Sequence, residues 1–307
     1  MPPLAARYVL RRRLGPPGAQ GEVYEALDTY ENDVVALKLL TSWTVSGPWA
    51  EAQILRRLAD PHILPIRNAD HIAGRPFLAT ELAHHGTLQD RLVAVGQRGL
   101  DLDELVRWIR QACFGIARAH DWRLLHNDLK PGNLFLNAKE ECLVGDFGCA
   151  TLIPAGATTV RPHGATAETA APEIAASWGT PAGSASILSD VYSLGATAFW
   201  LLTARPPHDL TGATDIATKM SIVATQPAAS LRDLAPHVPK PVAAAIETAI
   251  SRSPGDRYRT VTDFAAALGA RPTTARRWQR TDEHPGPLSG VLARRAKGRR
   301  KHVRAVP

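Results

Sequence analysis

Four short stretches of this 307-residue chain bring chemically capable side chains close together. His126-Asn127-Asp128-Leu129-Lys130-Pro131-Gly132-Asn133 sets a carboxylate, an ammonium and an amide within one short run, and Asp146-Phe147-Gly148 follows eighteen residues after Asp128. Upstream, Val35-Ala36-Leu37-Lys38 ends an apolar run on a cation, and Leu14-Gly15-Pro16-Pro17-Gly18-Ala19-Gln20-Gly21-Glu22-Val23 is a glycine-containing turn between strand-like stretches. Moving a phosphoryl group needs this kind of set: backbone amides and a cation around the phosphates, carboxylate and amide oxygens for a divalent ion, and a base that orients the attacking hydroxyl. Glycines let a backbone approach a polyphosphate, and because Pro16 and Pro17 lack N–H groups the useful donors would be those of Ala19, Gln20 and Gly21. Each feature also has a plainer reading when taken alone. The glycine stretch serves equally as a hairpin turn. Lys38 by itself is better explained by snorkelling to a strand edge than by pairing with Glu51.

The elements that must hold these residues fall into two parts. Strand patterns occur around Val23 and Tyr24, over 34–40 and over 77–82, and one helical pattern covers 49–58, with Ile54, Leu55 and Leu58 at helical spacing and Asp60-Pro61 ending it. After His84-His85-Gly86 the chain turns mainly helical, with i, i+3, i+4 apolar spacing over 102–121, 189–203 and 241–251. This predicts an α+β chain: a small β-rich lobe with one helix over residues 7–83 and a larger helical lobe over 84–270. From Arg271 onward periodicity fades into Pro, Gly and Arg, so 271–307 reads as a separate tail.

Composition narrows the class. Apolar residues make up 45% of the chain, enough for a sizeable core, which excludes a wholly disordered protein. The longest apolar run, 191–202, is interrupted by Ser193, Gly195 and Thr197 and falls short of the roughly 20 residues of a membrane span. The N-terminus has no signal-peptide pattern, and the expectation is a cytoplasmic protein. Cys113, Cys142 and Cys149 are odd in number and widely spaced, which supports neither a disulfide framework nor a zinc site. The net charge of +7 sits in the tail: 271–307 carries eleven Lys and Arg against Asp282 and Glu283, leaving the other 270 residues slightly acidic. Arg294 to Arg304 has the charge to contact several phosphates of nucleic acid or acidic lipid, although a solvated, disordered tail is the simpler reading. Trp278 alone does not make the tail a nucleic-acid module.

Taken together, the catalytic-loop stretch and the Asp-Phe-Gly stretch resemble those of the eukaryotic-type (Hanks-type) bacterial serine/threonine protein kinases. Val-Ala-Leu-Lys resembles the family's strand lysine, Glu51-Ala-Gln-Ile-Leu the helix bearing its glutamate partner, Ala171-Pro172-Glu173 the end of the activation segment, and Asp190-Val-Tyr-Ser-Leu-Gly the helix supporting the catalytic loop. The resemblance covers residues 7–270 and implies a bilobal fold with ATP in the cleft between lobes. By position, it implies that Lys38 paired with Glu51 contacts the α- and β-phosphates, that Asp128 accepts the substrate proton, and that Asn133 and Asp146 hold Mg²⁺ or Mn²⁺. Lys130 matches the serine/threonine-directed branch, which implies protein substrates with Ser or Thr, the enzyme itself among them. Thr80 falls at the gatekeeper position. Glu81 and Ala83 would face adenine, with Val23 and Ala36 above it and Phe135 below. Phe147, Gly148, Thr158, Thr159, Thr166 and Glu173 belong to the activation segment so implied, and Arg257 sits where the family's late arginine pairs with that glutamate.

The sequence also departs from the family pattern. The first glycine position falls on Pro16, with Gly15 just before it. Only thirteen residues separate Lys38 from Glu51, so the helix there starts late, with Ser46 as a cap and Pro48 in its first turn. Asn127 replaces the arginine that often precedes the catalytic aspartate and receives an activation-loop phosphate, so activity is expected not to require phosphorylation of Thr158 or Thr159. The 163–168 stretch only partly resembles the usual lead-in to Ala-Pro-Glu, although Thr166 aligns with the threonine that bonds the catalytic aspartate and Lys130. His120 and His126 read as hydrogen-bonded core histidines, and Cys149 as a small buried hydrophobe in preference to a redox site. Two other classes compete with the enzyme reading. A catalytically inactive pseudokinase scaffold is opposed by the full set Lys38, Glu51, Asp128, Asn133 and Asp146. A small-molecule phosphotransferase is opposed by the Ala-Pro-Glu segment and Arg257.

Overall fold

The computed structural model describes residues 7–15, 21–40, 58–72, 74–182 and 184–269. All lie in the first of the two units into which the chain divides, Met1–Arg271. The expected helix over 49–58 apart from Leu58, with Glu51, Ser46 and Pro48, the tip of the glycine stretch (Gly18, Ala19, Gln20) and the basic tail lie outside the described residues.

The N-terminal part is a five-stranded antiparallel sheet in the order β1-β2-β3-β5-β4. Its strands are β1 (Tyr8–Arg13), β2 (Gly21–Asp28), β3 (Asp33–Leu40), β4 (Ile66–Ile72) and β5 (Arg75–Glu81). Side chains alternate between faces along a strand. In β3 this sends Val35 and Leu37 into a small core with Tyr8, Ala26, Phe77 and Ala79. The residues between them, Ala36 and Lys38, take the other face. Register does the rest: Ala36 pairs with Thr80 and Lys38 with Leu78 on β5, while Val23 pairs with Lys38 on β2. Gly21 is required by the sheet itself, because a Cβ there, at φ 149°, would run into the Leu39 carbonyl. The glycine therefore has a packing reason as well as any phosphate-binding one.

The C-terminal part is built on α2 (Leu102–Asp121) and α4 (Ile187–Thr203), preceded by α1 (Leu88–Val95) and α3 (Pro172–Ala176). It is completed by α5 (Ile216–Thr225), α6 (Leu231–Leu234), α7 (Lys240–Ala249) and α8 (Val261–Gly269). In α2 the Asp101 side chain caps the first turn, accepting from the Asp103 and Glu104 amides. Leu105, Trp108, Ile109, Ala112, Ile116 and Ala119 then form one buried stripe. Helix α4 is buried nearly all round and begins at Ile187, two residues before the expected start, because Ser186 and Ser189 form a capping box. Helix α7 stops at Ala249, two residues short of expectation. Among the helices lie four short strands that the apolar spacing did not reveal: β6 (Leu124–Leu125), β7 (Leu134–Leu136), β8 (Cys142–Val144) and β9 (Thr151–Leu152). They pair β6 with β9 and β7 with β8, and the loops between them carry Asp128, Asn133 and Asp146. No helix among the described residues is long and apolar enough to cross a membrane.

One buried ion pair ties the far end of this lobe together. Arg257 donates from both terminal nitrogens to the Glu173 carboxylate, at 2.8 and 2.7 Å, and spends its other bonds on the carbonyls of Ser251, Leu188 and Arg252. The Tyr192 ring lies 4.9 Å under the guanidinium, which is fully buried. Removing the cation leaves a largely covered carboxylate, with 20% of the Glu173 side chain exposed, without its partner. Arg257→Met is expected to cost about 3 kcal/mol, the low end for breaking a buried pair, read from the midpoint of urea unfolding at constant slope.

Candidate active site

A cleft of about 740 Å³ lies between the sheet and the helical part. Its upper wall is the face of the sheet fixed by register: Val23, Ala36, Lys38, Leu78 and Thr80. Leu14 and Gly15, at φ 80°, close one end. Below lie Gly132, Asn133, Phe135 and Asp146. Gly145 makes the floor possible, since a Cβ there would meet the Phe135 ring at 2.8 Å. Along the back, Glu81, Leu82 and Ala83 pass from strand to helix. The Glu81 amide donates to the Pro65 carbonyl, its carbonyl accepts from the Thr80 hydroxyl, and the Ala83 carbonyl accepts from Gly86. No described residue accepts from the Ala83 N–H, so the cleft wall carries a backbone donor open to a ligand.

Lys38 and Asp146 meet across the cleft, Nζ to Oδ1 at 2.6 Å. Burial raises the cost of the Asp146 charge, but the Lys38 charge and hydrogen bond outweigh it, with help from Lys130, and hold the carboxyl below the usual aspartate range. Asp146 is therefore a carboxylate at neutral pH. Glu51, the expected partner of Lys38, is outside the described residues.

Asp128 sits in a net of donors one step away. Lys130 Nζ donates to its Oδ2 at 2.7 Å and to Thr166 Oγ1 at 2.9 Å, and the Thr166 hydroxyl donates to Oδ1 at 2.6 Å. The Asn133 amide nitrogen donates to the Asp128 carbonyl and carboxylate, at 2.7 and 3.1 Å. That leaves the Asn133 side-chain oxygen as the atom free to meet a cation. Asn133 thus joins the Asp128 net to the cleft wall.

The loop carrying these groups is hung on Asp190, buried in the first turn of α4. Its carboxylate accepts from the His126 and Asn127 amides, both at 3.0 Å, and meets His120 Nε2 at 2.8 Å. His126 is fully buried, its Nε2 on the Gly145 carbonyl and its ring 4.6 Å from that of Phe147. Both histidines serve as hydrogen-bonding groups of the interior. Cys149 is half-buried, and burial, with the Asp128 and Asp146 charges adding, pushes its thiol up to about 11. It is a neutral thiol at physiological pH, without the depressed pKa a redox cysteine needs.

Sequence reasoning did not foresee how the activation segment is held. The Asn127 side-chain amide donates to the Cys149 carbonyl and to Thr151 Oγ1, at 2.9 and 3.0 Å, and Thr151 lies 3.3 Å from His163 Nδ1. Thr158 and Thr159 are exposed and make no side-chain hydrogen bond among the described residues.

A two-lobed chain with a lysine–aspartate pair across the cleft and an aspartate–lysine–threonine net beside it has the architecture of a protein kinase. The family described as protein kinase domain matches residues 8–266, and the chain belongs to it. It is 30% identical over 287 residues to the serine/threonine-protein kinase PknE of Mycobacterium tuberculosis, an alignment covering 90% of this chain and 48% of the relative. It is 29% identical over 268 residues to PknH of Mycobacterium bovis, covering 85% and 43%, and 30% identical over 287 residues to PknK of the same species, covering 91% and 25%. The chain thus spans about half or less of the length of these relatives. Members of this family use ATP and a divalent metal.

The lysine–aspartate pair makes a prediction about pH. Lys38→Met removes the main opposition to desolvation, so the Asp146 carboxyl should titrate upward in carbon-detected NMR. A depressed native pKa contributes stability that is present above the unfolded value of about 3.9 and is lost as pH falls through the native value. The stability advantage of wild type over Lys38→Met in urea at pH 7 should therefore shrink below pH ~4.

Proposed function

We propose that the domain is an ATP-dependent protein kinase that phosphorylates serine and threonine hydroxyls of proteins, itself included. The observation that carries this reading is the cleft itself. It joins a cation, an ionised aspartate, an amide oxygen and an open backbone donor, and Asn133 connects them to a second aspartate outside the cleft. Adenine would lie between Ala36 and Phe135 with the Ala83 N–H at its edge. Lys38 would meet the α- and β-phosphates.

Among the described residues no three His, Cys, Asp or Glu side chains cluster as a metal site. A magnesium ion would therefore rest on Asp146, the Asn133 oxygen and the phosphates, the sparse protein ligation that this ion accepts. When bound it would neutralise charge on the phosphates. The chain's own residues do the rest. Asp128, fixed by Thr166 and Lys130, would accept the proton of a substrate hydroxyl, and Lys130 would steady the phosphate in passage. Lys130 is the feature favouring Ser and Thr over Tyr. A pseudokinase is not favoured, since every described member of the set has its partners in place.

Asp128→Asn should lower phosphoryl transfer from ATP to a serine peptide by about a hundredfold or more while binding of a fluorescent nucleotide stays unchanged. Undiminished transfer by the purified variant would overturn the assignment. Thr158 and Thr159 make no side-chain hydrogen bond among the described residues, so the double variant Thr158→Ala/Thr159→Ala should keep activity within about tenfold of wild type. A hundredfold loss would show that a loop phosphate is required after all.

A further inference from the structure

Arg123 stands at φ 58°, a left-handed conformation that crowds the Cβ of any L-residue and that glycine adopts without strain. Its side chain is exposed yet engaged through two of its three guanidinium nitrogens. Nε donates to the Ile153 carbonyl at 3.0 Å, and one terminal nitrogen donates to the carbonyls of Pro154 and Ala157, at 2.7 and 3.1 Å. The Arg123 carbonyl in turn accepts from the Ile153 amide at 2.8 Å. A single cation so gathers three carbonyls from a stretch of five residues, midway between the Asp146 end of the activation segment and Thr166. The stretch lies next to Thr158 and Thr159 and is followed by a backbone pair between Val160 and Ala185.

A strained residue whose guanidinium bonds among the described residues all go to one loop points to a role in holding that loop. We infer that Arg123 is a positioning residue for peptide transfer, fixing 153–157 with a cation on neutral carbonyls where an activation-loop phosphate on an arginine would otherwise do so. Asn127 has no charge to pair with a phosphate, and its side-chain amide is already committed to Cys149 and Thr151, just before this stretch. Arg123 thus supplies from the strand side the anchoring that the catalytic loop does not. The inference rests on the protein-kinase reading.

Arg123→Gly separates positioning from folding, because glycine relieves the backbone while deleting the clamp. In the full chain, Arg123→Gly and Arg123→Gln are expected to leave the thermal midpoint and the KM for ATP near wild type. Both should speed amide exchange at 155–158 selectively and lower kcat/KM for a serine peptide by about tenfold, with Arg123→Lys recovering part of it. Exchange at 155–158 equal to wild type in both variants would overturn the inference. So would faster exchange spread evenly over the helical lobe, which would make Arg123 a residue of the fold at large. If wild type itself transfers no phosphate, the kinase reading fails, while the exchange comparison still decides what Arg123 holds.

Discussion

The active site depends on a carboxylate that never meets water. Asp190 lies inside the helical lobe, and burial alone would push its carboxyl up, but the hydrogen bond from His120 and the amides of the catalytic loop hold it down as an anion. Its place in the first turn of α4 adds the positive end of a helix dipole. A buried charge of this kind is tolerated only while every partner stays in position. The loop from His126 to Asn133 is therefore fixed by the need to satisfy one oxygen pair. The Asp128 net and the Asn133 amide inherit their geometry from it.

That constraint also explains which parts of the molecule were legible in the sequence. Lys38, Asp128, Asn133 and Asp146 could be found because their types and order are the chemistry. The helices over 102–121 and 189–203 could be found because each buries a regular stripe. What escaped was set by contacts between distant segments. Strand β1 reads as Tyr-Val-Leu-Arg-Arg-Arg and buries only Tyr8, so no alternation marks it. Strands β6 to β9 are two or three residues long, below any periodic signal, and exist because they pair with one another. Gly21 was read for its freedom near phosphates, yet its neighbour is the Leu39 carbonyl.

Asn127 shows the same limit from the other side. Its identity was legible as a departure, but its partners were not, since Thr151 and Cys149 become neighbours only when β9 folds back on β6. The replacement of an arginine by an amide exchanges a charge that waits for a phosphate for two neutral bonds already made. The cost is visible, as the Asn127 side-chain oxygen is buried with no partner among the described residues. The protein accepts that loss in a position where Asn is at least at ease with φ 66°.

Among the described residues six non-glycine residues have positive φ, and three of them, Arg123, Asn127 and Asp146, belong to the site or to the loops that hold it. Such conformations cost of order 1–3 kcal/mol each and persist only where the surroundings over-determine them. Each has its own compensation: three loop carbonyls for the Arg123 side chain, the Asp190 carboxylate for the Asn127 amide, Lys38 for the Asp146 carboxylate. Two of these link separate parts of the fold, Lys38 from the sheet to the floor of the cleft and Asp190 from α4 to the loop. Strain at Asp146 is thus balanced by a contact that needs both lobes assembled, and strain at Arg123 and Asn127 by contacts within the helical lobe. The geometry for phosphoryl transfer exists only in the finished fold, which is why its residues could be recognised in the sequence while its arrangement could not.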